Sequence, residues 1–335
     1  MKALLIDVGS TFIKYSIYDR QKGLLFFEKT PFPDPIVNDG VHFIVSREEL
    51  CNKILDIFEK ASEHNCFTAI FSVQMHGYVV KKKDGTLSEY VSWRDKSGEI
   101  TQQNFENVNF NEFGLSLTNN LPVTKLDSET VDEFYTLGSY LSFLLTGNNA
   151  THITDAFASG FYHSPSGVPN VFASGMRMPS VCSSVQEVGE YKGVKILCPF
   201  GDHQISVLGS DINKDAYLIN IGTGAQVCCI SSYDYPDGKY QKRPYFDKAE
   251  CLYSFCGLHG VDGNSRGKED FLQRILNSIR LLPKKSSVIV GGGGGDELFS
   301  LIQETLTPLG ISCSKSDKNI GTEGLIKIAN EYFDK

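Results

Sequence analysis

One turn is written into this chain twice. "LLIDVGSTFIKYSIYD" runs from Leu4 to Asp19, and "YLINIGTGAQVCCIS" runs from Tyr217 to Ser231. Each reads as an apolar strand, a tight turn of glycine and hydroxyl residues, and an alternating strand. Asp7, Gly9, Ser10 and Thr11 of the first copy lie over Asn220, Gly222, Thr223 and Gly224 of the second. Ordinary hairpin turns also favour Gly, Ser and Thr, so one copy alone says little. Two matching copies point to two similar halves. A turn of this kind aims backbone N–H groups and hydroxyls at one point, which is a nest for phosphate oxygens. Two such turns can grip a polyphosphate from both sides of a cleft. Only the first copy keeps a carboxylate. Asp7 suits a Mg²⁺ ion riding on the β- and γ-phosphates, a cation that takes one or two carboxylates and keeps its waters. Asn220 in the second copy adds no negative charge against the phosphates. Lys14 is expected to bring a positive charge near the γ-phosphate.

The rest of the chain reads as alternating strand and helix, the pattern of an α/β layered fold. "SREELCNKILDIFEKASEHN" is an amphipathic helix capped by Ser46, with Glu49 completing a capping box. "FTAIFSVQMHG" is a buried strand entering a loop. Residues 128–146 read as helix, closed by Gly147. "VKILCPFGDHQISVLGS" is strand, glycine turn and helix. "DFLQRILNSIRLLP" is a helix ended by Pro283, and "SSVIVGGGGGDELFSLIQETLTPLG" is strand, glycine turn and helix. A chain of 335 residues exceeds one typical core, so two domains are expected, 1–210 and 211–335.

Net charge is −8, and no Lys/Arg block stands out, so nucleic acid and membrane surfaces are not expected partners. No apolar run approaches the roughly 20 residues that span a bilayer. The nine cysteines are scattered without metal-ligand spacing and read as reduced core thiols of a cytoplasmic protein. The N-terminal residues enter a strand directly, so no leader peptide is expected.

The motifs Asp7-x-Gly9-Ser10-Thr11, Gln74-Met75-His76-Gly77, Trp93-x-Asp95, Gly201-Asp202-x-Gln204, Gly222-Thr223 and Gly291–Gly295 occur in this order. Together they resemble the FGGY carbohydrate kinases, with sedoheptulokinases nearest and xylulokinases next. The resemblance implies an α/β protein of two RNase H-like domains, the sugar kinase/Hsp70/actin fold, with ATP in a central cleft. The second domain is shortened relative to that family. The resemblance also implies ATP- and Mg²⁺-dependent phosphorylation of a terminal hydroxyl of a ketose, a small-molecule sugar substrate. A homodimer is compatible with it. It makes Asp202 the catalytic carboxylate and turns Gln74, Met75, His76 and Trp93 toward the sugar. His203 stands where such kinases more often carry Asn, Gln or Leu.

Residue chemistry fits these assignments and leaves alternatives open. Asp202 begins a helix, whose N-terminus favours an ionised carboxylate able to accept a hydroxyl proton. The plainer role is a helix N-cap. Trp93, the one tryptophan, can cover the apolar face of a sugar or fill a core. Asp95 can accept from sugar hydroxyls or pair with the neighbours of Arg94. Gly292, Gly293 and Gly294 follow a strand and let a base and ribose lie against backbone. They come too late in the chain for a dinucleotide fold. Gly321–Gly324 is a weaker candidate for the same pocket. His163 and His259 read as structural. Two other functions stay open: a nucleotide-gated scaffold or sensor of the actin-like fold, and a kinase for a small acid or another polyol.

Overall fold

The computed structural model describes residues 1–99, 120–163, 166–222, 224–232, 240–246, 251–259, 265–292 and 294–335. The repeated turn connects the central strands of two sheets. In the first sheet, β1 (Lys2–Val8), β2 (Phe12–Asp19) and β3 (Gly23–Pro31) form an antiparallel meander. β6 (Thr68–Val73) lies parallel beside β1, and β13 (Val194–Leu197) and β14 (Phe200–Gly201) lie parallel beside β6. β12 (Glu187–Tyr191) closes that edge.

The second sheet repeats this plan. β15 (Ala216–Ile221) and β16 (Gly224–Ser231) are antiparallel, and β18 (Cys251–His259) follows antiparallel. β19 (Ser287–Gly291) lies parallel beside β15, and β20 (Ser312–Lys315) parallel beside β19. The order β13-β6-β1-β2-β3 thus recurs as β20-β19-β15-β16-β18, with the same directions. β17 (Gln241–Pro244) extends the second sheet beyond β18. A third sheet takes β4 (Pro35–Asn38), β5 (Phe43–Val45), β8 (Tyr90–Val91), β7 (Tyr78–Lys82) and β9 (Val131–Thr136), in that order. A parallel pair, β10 (Ala150–His152) and β11 (Ser180–Cys182), stands apart.

Side chains alternate across a strand, so each sheet presents two apolar faces. Leu4, Ile6 and Val8 pack with α1 (Arg47–Ala61) and α2 (Leu137–Thr146). Ala3 and Leu5, on the other face, meet α4 (Asp202–Gly209) and α7 (Ile320–Phe333) through Ile205, Leu325, Ile328 and Phe333. In the second sheet Tyr217, Ile219 and Ile221 pack with α5 (Ser265–Leu281) and α6 (Gly295–Leu306). Ala216 and Leu218 face Val207 of α4 and Ile320 of α7. A short α3 (Ile153–Ala156) follows β10. The layer of α4 and α7 therefore lies between the sheets. By strand alternation Asp7 belongs to the Ala3/Leu5 face and Asn220 to the Ala216/Leu218 face, so both equivalent positions address this layer.

The helix expected over 128–146 forms only from Leu137. Val131–Thr136 instead pairs antiparallel with β7, and the Thr136 hydroxyl accepts from the Ser139 amide to start the helix. Helix-forming spacing yields here to a free sheet edge. Ser46 caps α1 as expected, accepting from the Glu49 amide at 3.2 Å, and Gly147 ends α2 at φ 78°. No helix among the described residues is long and apolar enough to cross a membrane. Among the described residues Cys51, Cys66, Cys182, Cys198, Cys228, Cys229 and Cys313 are not joined in disulfides.

α4 and α7 approach each other through two glycines. A Cβ on Gly209 would lie 1.8 Å from the Ile320 carbonyl oxygen, and one on Gly324 would lie 2.0 Å from that of Ile205. Gly324→Ala gains up to about 1 kcal/mol in helix propensity but forces backbone against backbone. Overpacking of this kind costs about 1–3 kcal/mol or more. We expect a net loss of stability, read as a lower urea midpoint at unchanged slope.

Candidate active site

The parallel strands of the first sheet bring two carboxylates to one end. Asp7 pairs in register with Ser72, and Phe200 pairs with Ser72 from the other side. Asp202 follows β14 directly. With neighbouring strands about 4.8 Å apart, the Asp7 and Phe200 backbones stand roughly 10 Å from each other, and Asp202 lies two residues further along. Asp7 is partly buried. Its Oδ1 accepts from Ser72 Oγ at 3.3 Å and its Oδ2 from Lys14 Nζ at 3.0 Å. Lys14 lies directly opposite Asp7 on β2. The lysine expected to face a γ-phosphate thus begins as the ion-pair partner of Asp7. The first turn differs from expectation in one donor: the Gly9 N–H bonds the Phe12 carbonyl at 3.1 Å, which closes the turn and occupies that amide. Ser10 and Thr11 form the bend, and the Thr11 carbonyl accepts from the Phe32 amide at 2.9 Å.

Asp202 does not cap its helix. Gly201 is the N-cap, and Asp202 is the first helical residue with part of its surface open. Its carboxyl is pushed up to about 7, first by burial and then by the negative charge of Asp7, with Asp155 adding to both. The His203 backbone amide and the Arg243 guanidinium work in the opposite direction. The expected preference for the ionised form at the helix start is therefore outweighed, because desolvation exceeds what one short helix end contributes. Gly201 is needed for close approach: a Cβ there would lie 2.6 Å from both Met75 Sδ and the Thr154 carbonyl oxygen. The Thr154 hydroxyl accepts from the Gly201 amide at 3.1 Å.

The loops expected at the sugar emerge together. Tyr78 of β7 stands opposite Val91 of β8, so the loop at 74–77 and the loop at 92–95 leave the same end of the third sheet. The Gln74 amide is buried, and neither its oxygen nor its nitrogen has a partner among the described residues. His76 holds a left-handed φ of 67°, uncommon outside glycine. Its Nδ1 lies 2.7 Å from the Ala158 carbonyl, so Nδ1 carries the hydrogen. Burial, then the charge of Arg243, lowers its pKa to about 3, which leaves Nε2 as an acceptor. Trp93 is half-buried rather than enclosed in a core, with Arg94 5.7 Å from its ring.

Two other expected contacts serve packing. Met75 sits in an apolar cluster with Phe134, Phe157 and Phe161. Asp95 is buried with its oxygens already engaged: Oδ1 accepts from the Ser97 amide and hydroxyl and pairs with Lys125 at 3.1 Å, while Oδ2 accepts from the Phe43 amide. The cation beside Asp95 is Lys125, thirty residues on in the chain.

The second turn and the glycine run meet at the ends of β15 and β19. Gly222 is exposed at the bend and Gly224 begins β16. Gly292 adopts φ 87°, and a Cβ there would lie 2.4 Å from the Ile221 carbonyl oxygen and 2.6 Å from Asn220 Oδ1. The Gly294 amide bonds the Ile221 carbonyl at 2.9 Å. Thr223 and Gly293 lie outside the described residues. The start of α7 joins the two halves. A Cβ on Gly321 would lie 3.7 Å from Asp7 Oδ2, while Ile320 reaches Gly291, where a Cβ would meet its Cδ1 at 3.0 Å.

Two residues carry no sequence signal that the motifs above used. Asp155 of α3 is buried, and its Oδ2 accepts from Thr151 and Thr136; burial raises its pKa to about 6. Arg243 comes from β17 of the second sheet and is 1% exposed. "THITD" offers paired hydroxyls around an acid, a usable signal for Asp155. Nothing local marks Arg243, which acts across a sheet boundary.

The chain has the two-domain sugar kinase fold. The ligand-bound xylulose kinase of Lactobacillus acidophilus superposes with a TM-score of 0.81 at 14% identity, over 99% of this chain and 89% of that one. A gluconate kinase of the same organism gives 0.81 at 15% identity, over 100% and 90%. Plasmodium falciparum glycerol kinase with ADP gives 0.80 at 12% identity, over 99% and 90%. No protein-family model matches the chain, nor does any of the curated proteins compared with it.

Two outcomes follow from the site's electrostatics. Asp202 binds its proton more tightly when folded, near 7 against an ordinary value of about 3.9. Its contribution therefore favours the fold at low pH and is lost as pH rises toward 7. Asp202→Asn should be more stable than wild type by about 1–3 kcal/mol at pH 7.5. Paired urea titrations should show that gap widening from pH 5 to 7 and levelling above it. Lys125→Met leaves the buried Asp95 carboxylate without its cation and should cost about 3–5 kcal/mol in the same assay.

Proposed function

We propose that the chain is an ATP-dependent carbohydrate kinase. The observation that carries this reading is Asp202, a partly open carboxylate that caps nothing and lies within electrostatic reach of Asp7. A carboxyl poised near 7 suits a general base at neutral pH. Asp202 takes the proton of the acceptor hydroxyl as that oxygen bonds the γ-phosphorus of ATP and the bond to the β-phosphate bridging oxygen breaks. Phosphoryl transfer asks chiefly for positioning and charge neutralisation. Gln74 and His76 orient the sugar through a buried amide and an acceptor nitrogen, and Trp93 covers its C–H face. Ser10, Thr11 and the second turn at Gly222, Thr223 and Gly224 hold phosphate oxygens. Gly292, Gly293 and Gly294 leave room for adenosine.

Asp7 fits Mg²⁺, since it is a hard oxygen donor, only partly buried, whose present partners are a hydroxyl and an ammonium that a cation would stand in for. When bound, Mg²⁺ neutralises charge on the β- and γ-phosphates. With Mg²⁺ on Asp7, the Lys14 ammonium would be free to pair with a phosphate oxygen instead.

The division near Ser210 places the two phosphate turns in separate domains, 1–210 and 211–335, with α7 packing back on the first sheet. Closure between them excludes water from the transferred phosphoryl group. A ketose is the substrate class we assign, with xylulose and sedoheptulose first, on the resemblance of "QMHG" and "YVSWRDKSG". The unpartnered Gln74 amide argues against a nucleotide-gated scaffold, which needs no buried polar surface beside its carboxylate.

Protein mixed with Mg-ATP and a panel of xylulose, sedoheptulose, gluconate and glycerol should release ADP in a sugar-dependent way. The rate should rise through pH 7 as Asp202 ionises. Asp202→Asn should lower kcat by about 10²–10⁴-fold. ADP release that ignores every acceptor, or full activity in Asp202→Asn, would overturn the reading.

A further inference from the structure

A buried arginine of the second sheet touches the helix that carries Asp202. Arg243 NH1 lies 3.1 Å from His203 Nδ1, and its Nε lies 3.0 Å from Gln241 Oε1. The guanidinium stands 5.6 Å from the centre of the Phe157 ring. The neighbouring residues clamp the same junction, where Gln204 Nε2 donates to the Pro244 carbonyl at 3.2 Å. Phe246 packs beside Phe200 and His152.

A guanidinium has donors and no acceptor. His203 Nδ1 must therefore offer its lone pair to Arg243, and a neutral ring then carries its hydrogen on Nε2. Burial, the charge of Arg243 and the neighbouring His76 hold His203 far below its ordinary protonation range. The ring is 1% exposed, and Nε2 has no partner among the described residues. The next side chain, Gln204, leaves its Oε1 unpartnered, and so does Gln74 with both amide atoms. Buried polar atoms are normally satisfied. This group of orphans beside Asp202 calls for a polyhydroxylated ligand.

We propose that Arg243 is a positioning residue that locks His203 in its Nε2–H tautomer, so that His203 donates a hydrogen bond to an oxygen of the sugar. The sugar in this inference rests on the kinase reading above; the lock does not. His203 selects for an acceptor oxygen at its position, and it does so only while β17 is seated against α4. A lysine at 243 cannot reach Gln241 and His203 together, because its donors radiate from one nitrogen.

The full chain labelled with ¹⁵N-histidine tests the lock without substrate. Long-range ¹H–¹⁵N spectra at pH 7, assigned with His203→Gln, should show His203 with Nε2 protonated and Nδ1 bare. Arg243→Met should convert that signal to a tautomer mixture, and Arg243→Lys should do so in part. An Nδ1–H tautomer or a cationic ring in wild type overturns the lock even if no Arg243 variant folds. An unchanged spectrum in folded Arg243→Met also overturns it. Saturating xylulose or sedoheptulose, followed by Trp93 fluorescence, should shift the His203 Nε2–H resonance. Sugar binding that leaves this resonance in place overturns the donor role. In turnover, Arg243→Met and His203→Leu should raise the sugar KM about 10- to 100-fold and leave the ATP KM unchanged, with His203→Gln restoring most of the loss. An unaltered sugar KM in His203→Leu likewise counts against the donor role. Failure of every sugar to stimulate ADP release counts against the kinase reading, while the substrate-free spectrum judges the lock separately.

Discussion

Two carboxylates held at the same end of one parallel set of strands are the constraint around which this molecule is organised. β1, β6 and β14 run in register, so Asp7, near the end of β1, and Asp202, just past β14, lie at the same end of the sheet. Two acids near each other in a partly dry setting cannot both ionise freely. The structure answers with fixed partners for one and few for the other. Ser72 and Lys14 hold Asp7, while Asp202 receives mainly a backbone amide and the distant charge of Arg243. One acid is thereby tied into an ion pair and the other has its pKa raised to about 7, a division set by surroundings rather than by residue type.

Close backbone contact makes that arrangement possible. Gly201 lets the Asp202 turn press on Met75 and Thr154, and Gly209 with Gly324 lets α4 and α7 cross almost in backbone contact. α7 then sits between the sheets, with Ile320 against Gly291 of one and Gly321 near Asp7 of the other. The chain's end thus joins the two copies of the repeated plan. A displacement of α7 would be felt at the first acid and at the glycine run together, which gives any closing motion a route between the halves.

Much of this was legible because it is local. The paired turns, the strand before Gln74, the glycine run after β19 and the Gly201-Asp202 step each announce themselves within a dozen residues. What was misread depends on who stands nearby. Residues 131–136 have helical spacing but found a sheet edge at β7. Asp95 is engaged by Lys125, thirty positions on, a partner that its local surroundings in the sequence do not indicate. The Gly9 amide looked available to a ligand, yet the turn itself needed it. Asp202 was expected to be favoured as an anion by its helix, and burial beside Asp7 reversed the sign.

The order of residues was enough to establish two matching α/β halves, a carboxylate in one turn and an amide in the other, and an acid placed between a strand and a helix. Those features follow from periodicity and turn chemistry, which act over short stretches. Folding in three dimensions settled which acid is paired, which has its pKa raised, and which buried amides and rings lack partners among the described residues. It also brought Arg243 from the second sheet onto His203. Such outcomes turn on desolvation and on distances of a few ångströms between segments remote in the chain, and no local pattern encodes them.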